Sequence, residues 1–164
     1  MRWKLRIFFV ALFALVLIFL SVDVSALRYI TGCQNIDIPD TYVLTRNIDL
    51  TAESFAPGTF SCINIRANDV ILDGNGYMIK GDSSVQSARG VYAADVTNIH
   101  IRNLKIINNQ KGEGIRFDEV GNSVIEDNVF SNNEIGIGIY NSVATTINNN
   151  MACGNINDDI MFFQ

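Results

Sequence analysis

Little in this sequence could hold a transition metal. The 164 residues include one histidine, His100, three cysteines and four methionines, and none of these stands at a ligand spacing. No metal site and no cofactor is expected from them. Basic residues are scarce too. There are 12 Lys and Arg against 17 Asp and Glu, and setting aside Arg2, Lys4, Arg6 and Asp23 leaves 9 against 16 from Leu27 onward. A nucleic-acid partner is excluded on this ground, because neutralising phosphates needs a basic face. Proline occurs twice, no window shows helical periodicity, and no long apolar run follows the first two dozen residues. Yet Ile, Val, Leu and Phe recur throughout, which excludes a disordered chain.

The amino terminus reads as an export signal. Arg2, Lys4 and Arg6 form a positive region, Ile7 to Leu20 is unbroken apolar sequence, and Val24-Ser25-Ala26 is a small-residue cleavage triplet. Residues 1–26 are therefore expected to be a signal peptide, with a mature chain beginning at Leu27. The alternative is an uncleaved membrane anchor over residues 7–22, which is short of the roughly 20 apolar residues that a span needs. Either way the domain is expected to be secreted or at the cell surface, where disulfides persist.

The remainder repeats. Short stretches of alternating apolar and polar residues are separated by Gly and Asn, the pattern of strands and turns. Ile63, Val91, Ile115, Ile137 and Ile160 begin equivalent stretches, at steps of 28, 24, 22 and 23 residues. Leu72, Ile101, Ile125 and Ile147 form a second column in the same phase, and Ile79, Ile106, Phe130 and Ala152 a third. Three strand positions per turn describe a triangular coil. Periods of this length mean stacked units that bury their apolar faces against one another. A leucine-rich repeat lacks its L-x-x-L-x-L spacing here, and a propeller blade needs about 40 residues, so an all-β parallel β-helix remains. The turns agree: Asn108-Asn109, Asn132-Asn133 and Gly154-Asn155 fall at one corner and Asn103, Asp127 and Asn149 at another, where short amides tolerate the left-handed region and can bond along the stack. Residues 27–61 are read as an N-terminal cap with strands leading into the coils, and residues 62–164 as about four to five coils.

The stretch Asn68-Asp69-Val70-Ile71-Leu72-Asp73-Gly74-Asn75-Gly76-Tyr77-Met78-Ile79-Lys80-Gly81, preceded by Asp40-Thr41-Tyr42-Val43-Leu44-Thr45-Arg46-Asn47-Ile48, resembles the opening coil of right-handed parallel β-helix proteins. These are the NosD-like, carbohydrate-binding and sugar-hydrolase-like group common on archaeal cell surfaces. The resemblance implies a right-handed coil over residues 30 to 160 and a chain that corresponds to the first block of longer relatives. It also implies a disulfide between Cys33 and Cys62, stapling the cap onto the helix; the alternative is two buried free thiols. Cys153 has no partner in the pattern, so it is either buried or a route to a covalent dimer. The NosD-like name further implies a copper-linked accessory role.

Outward positions of the first strand column read Asn64, Tyr92, Arg116, Gly138 and Met161, and two residues further on Arg66, Ala94, Asp118, Tyr140 and Phe163. Aromatic and polar groups on a rigid face suit a saccharide, so Asn64, Tyr92, Arg116, Asp118 and Tyr140 are the candidate ligand surface; the bland alternative is a solvated sheet face carrying one Arg116/Asp118 pair. Asp73, Arg102 and Glu126 stack in one column with alternating charge, a structural ladder. No catalytic residue is assigned. The acids are dispersed over different corners, and Asp118 with Glu119, or Glu126 with Asp127, alternate faces and cannot reach one substrate atom.

The reading is thus a non-catalytic β-helix module with a structural or glycan-contacting role, its partner a polysaccharide or envelope glycan. The alternatives are a truncated or degenerate polysaccharide lyase or glycosidase and a copper-linked accessory factor. Ile115 and Ile137 are expected in the core and Arg116 on the solvated surface. In the last coil Met161 and Phe163 should face outward and Ile160 and Phe162 inward, leaving apolar area at an uncapped end. Self-association through that coil is the expectation, with Cys153 close enough to cross-link the pair.

Overall fold

The computed structural model describes residues 27–164. The expected signal peptide or anchor, residues 1–26, lies outside the described residues. The regular structure is all strand: β1 (Leu27–Ile30), β2 (Gln34–Ile36), β3 (Thr41–Leu44), β4 (Ile48–Asp49), β5 (Ser61–Ile65), β6 (Val70–Asp73), β7 (Met78–Lys80), β8 (Arg89–Ala94), β9 (Ile99–Arg102), β10 (Lys105–Ile107), β11 (Glu113–Asp118), β12 (Gly121–Glu126), β13 (Val129–Ser131), β14 (Ile135–Tyr140), β15 (Val143–Asn148), β16 (Met151–Cys153) and β17 (Asp158–Phe163). From β2 onward every third strand returns to the same sheet. The sheets run β1-β3-β6-β9-β12-β15, β2-β5-β8-β11-β14-β17 and β4-β7-β10-β13-β16, and the pairings within them are parallel. Three sheets wound about one axis make the parallel β-helix that the repeat predicts, with the right-handed winding that the resemblance implies. Residues 34–49 already complete one turn, with β2, β3 and β4 each on its own sheet.

The three apolar columns are in register. Ile63 pairs with Val91, Val91 with Ile115, Ile115 with Ile137 and Ile137 with Ile160. Leu72, Ile101, Ile125 and Ile147 line the second sheet, and Ile79, Ile106, Phe130 and Ala152 the third. Period-2 alternation turns each of these side chains toward the axis, where all but those of the last turn are fully buried. In that last turn the inward columns open. Ile160 is 39% and Phe162 65% exposed, while outward Met161 is half-buried. Exposure therefore falls on the inward pair as well as on Phe163, because a side chain pointing across the axis keeps its cover only where a coil lies on both sides.

Asparagine makes the corners possible. Asn103, Asp127 and Asn149 have φ of 52°, 55° and 50°, and Asn108, Asn132 and Gly154 of 62°, 56° and 67°, the left-handed region that Asn, Asp and Gly tolerate. The residue after each turns back into the stack. Asn133 Oδ1 accepts from the Asn109 backbone N–H at 3.1 Å, Asn155 Oδ1 accepts from that of Asn133 at 3.0 Å, and the Asn133 amide donates to the Ile106 carbonyl at 3.0 Å. Asn128 and Asn150 repeat this at the other corner, accepting from Leu104 and Asn128 and donating to Ile101 and Ile125. Backbone groups that leave the sheet ladder at a bend are thus satisfied by the coil above or below.

Cys33 and Cys62 are joined, so the disulfide implied by the resemblance is present. Cys153 is free and exposed.

Candidate ligand-binding face

A glycine shift decides what the β2-β5-β8-β11-β14-β17 sheet shows to solvent. Strict alternation would turn Glu113 inward, two residues before buried Ile115. Instead the Gly114 Cα points at the core, where a Cβ would stand 2.9 Å from Phe130 Cδ1, and the ladder pairs Glu113 with Ile135 and then Ile115 with Ile137. Gly90 repeats this, its would-be Cβ 2.6 Å from Ile106 Cγ2. Two successive inward positions push the preceding residue out. Arg89 and Glu113 therefore face outward, in one pairing column with Ser61, a placement that alternation alone does not reveal.

The five candidate residues divide into two groups. Arg116, Asp118 and Tyr140 belong to a closed network. Arg116 donates to Asp118 Oδ2 from Nε at 3.2 Å and from Nη2 at 2.9 Å, lies 3.6 Å from Glu113, and places its guanidinium 3.8 Å from the Tyr140 ring centroid. The Tyr140 hydroxyl donates to Glu113 Oε1 at 2.7 Å, and its ring stacks on Phe163 at 4.1 Å. Tyr140 is thus sandwiched between a cation and a second ring. Gly138 makes room for it, since a Cβ there would stand 2.7 Å from Tyr140 Cε2 and 2.8 Å from Glu113 Oε1. Burial and the bond to Glu113 push the Tyr140 phenol up to about 12. Arg116 is consequently not the freely solvated residue that the sequence suggests: its side chain is 25% exposed.

Asn64 and Tyr92 lie elsewhere on the same face. Asn64 is buried and donates to Asn35 Oδ1 at 2.8 Å. Tyr92 carries the Arg89 guanidinium 4.9 Å from its ring centroid, and burial raises its phenol above the ordinary value. Both border a cavity of about 490 Å³, together with Phe60, Arg66, Arg89 and Asp95. Its far wall is the loop before β5, with Gly58 and Thr59. Phe60 is 62% exposed and is held edge-on by Phe55 at 5.9 Å. Phe60, Arg89 and Asp95 were not legible as site residues: Arg89 comes out through the glycine shift, and Phe60 through the path of a loop that carries no repeat.

On the neighbouring sheet the charged residues of β6, β9 and β12 meet in two contacts. Arg102 donates to Asp73 at 3.0 Å, but Glu126, the third member of that column, meets His100 Nε2 at 2.8 Å instead. The charge ladder is therefore one ion pair beside one histidine–carboxylate contact. The long loop between β7 and β8 is fixed by Asp82, which accepts from the backbone N–H and hydroxyl of Ser84 and is thereby held below the usual carboxylate range.

No curated protein and no solved structure matches the chain. One family model does, over residues 53–163, and its description is "Periplasmic copper-binding protein (NosD)". The match covers the coils from the loop before β5 to β17, two thirds of the sequence and most of the repeats just described. On that match, and on the parallel coils it coincides with, the chain belongs to the NosD family of β-helix proteins.

Proposed function

We propose that this protein is an extracytoplasmic, non-catalytic β-helix module that contacts glycan through the sheet containing β5 and β8. The observation that supports this most is the cavity in which Asn64 and Tyr92 meet Phe60, Arg66 and Arg89. Ring faces suit sugar faces, and guanidinium and amide groups suit hydroxyls, on a backbone whose position is already fixed. Export agrees with the family's periplasmic description and with the Cys33–Cys62 disulfide, a bond that persists outside the cytoplasm. The absence of catalysis is supported by how the acids are engaged. Glycoside cleavage by paired carboxylates needs two acids flanking one bond, whereas Asp118 is tied to Arg116 and Glu113 to Tyr140.

The family description favours a second reading, a copper-handling accessory. The donors of the described residues do not fit it. Cys33 and Cys62 are consumed by their disulfide, His100 is engaged by Glu126, and no three His, Cys, Asp or Glu among the described residues are grouped to hold a metal ion. No step through copper follows from the described residues.

A glycan array probed with the mature domain tests the leading reading. Retention of a subset of glycans, lost in Tyr92→Ala, is the expected result. No retained glycan at any protein concentration up to the limit of solubility would overturn it.

A further inference from the structure

We infer that the cavity between the loop before β5 and strand β8 takes the terminal residue of an acidic saccharide, with its carboxylate on Arg66 and Arg89 and its ring against Phe60 and Tyr92. This rests on the glycan reading above and adds to it the charge of the sugar and its place in the chain.

The charge follows from the lining. The protein is acidic, with a formal net charge of −5, yet two of the three charged side chains at the cavity, Arg66, Arg89 and Asp95, are cations. Each arginine engages a carboxylate through Nε: Arg66 with Asp37 at 2.6 Å and Arg89, at 3.4 Å, with the Glu113 that Arg116 and Tyr140 also meet. Those contacts fix the guanidinium planes and leave their terminal N–H groups for an incoming anion, for which the planar fork is suited. The space comes from Ala94. It stands in the outward column between Arg66 and Asp118, so its methyl group leaves a pit where its neighbours have long side chains. The floor holds a further polar group. Ser61 is fully buried, borders the cavity, and its Oγ has no hydrogen-bond partner, the kind of unsatisfied group that calls for an explanation in a native structure.

Its terminal position follows from the wall. The loop is braced by the protein's own bonds: Thr59 Oγ1 donates to the Ala56 carbonyl at 2.9 Å, Asn35 donates to the Pro57 carbonyl at 3.3 Å, and Cys62 is disulfide-linked two residues beyond exposed Phe60. A saccharide lying along the face towards Arg116 meets this wall at Phe60 and must end there.

The test uses an array of oligosaccharides ending in glucuronate, galacturonate or mannuronate, the same chains ending in the parent hexose, and chains in which the uronate is internal. The mature domain is compared with Arg66→Gln and Ala94→Phe. Arg66 is half exposed, so its loss leaves folding intact, and Ala94→Phe fills the pit without removing any contact. The expected result is retention of at least one uronate-terminated chain by about tenfold or more over its neutral and internal counterparts, a preference lost in Arg66→Gln, and no retention by Ala94→Phe. Equal retention of acidic and neutral chains would overturn this inference while leaving glycan binding standing. Preference for internal uronates would overturn the terminal position, and an unchanged preference in Arg66→Gln would overturn the cavity as its seat. Failure to retain any chain would remove both readings.

Discussion

Tyr140 lies between Arg116 and Phe163 with its hydroxyl on a buried carboxylate, and its phenol is raised from 10 to about 12 by burial and by that bond. A group whose folded value is raised favours its protonated form in the native state. The stabilisation is therefore complete below about pH 10 and lost as pH climbs through about 12. Thermal melts across that window should fall more steeply for the wild type than for Tyr140→Phe, which has no proton to lose; parallel slopes would mean that the phenol ionises without consequence. A second contrast lies in the core. Ile137→Ala, in a fully buried column, should cost about 2–5 kcal/mol through transfer and cavity terms. Phe162→Ala, in an inward column at 65% exposure, should cost under about 1 kcal/mol, and chemical denaturation distinguishes the two. Sequence pattern assigns both residues to inward columns, as the register with their neighbours does. It carries no information on which interior positions lack a covering coil.

At the level of the strand, the three apolar columns were legible because alternation and a near-constant step fix both face and register. The Asn-rich corners were legible for a related reason, since the residue types that accept positive φ recur in phase with Ile. What alternation misread was the direction of Arg89 and Glu113, displaced by one residue at Gly90 and Gly114. This is why Arg89 was missing from the candidate surface, whereas Phe60, which lines the cavity with Arg89 and Tyr92, was missing because its loop carries no repeat. Glycine at 138 should be as demanding as those two. Gly138→Ala would put a methyl group against Tyr140 Cε2 and Glu113 Oε1, displacing the ring and leaving a buried carboxylate with one donor fewer, at about 1–3 kcal/mol. Loss of the raised Tyr140 titration, followed by phenolate absorbance, would accompany that destabilisation; a normal wild-type profile in the variant would show that the ring does not depend on the gap.

For the molecule as a whole, the fold class, the direction of winding and the staple were all legible in the residues, the first from periodicity and the other two from resemblance. Closing the 29-residue separation between Cys33 and Cys62 should contribute about 3–4 kcal/mol on the chain-entropy model. A Cys33→Ser, Cys62→Ser double variant should lose that much in urea titration, and an unchanged midpoint would mean that the opening turn holds without its bond. The uniform coil step has a mechanical consequence. Backbone hydrogen bonds between parallel strands point along the axis, whereas covalent chain runs around it, so the object is strong in circumference and weak in length. Pulled apart between β1 and β17, it should not yield as a block. Coils of 22 to 28 residues should peel away singly, each lengthening the tether by roughly 70–100 Å at full extension. The stretch enclosed by Cys33 and Cys62 alone cannot be drawn out. A force-extension trace should show a ladder of near-equal steps that comes up short by one loop, and reductant should restore the missing length.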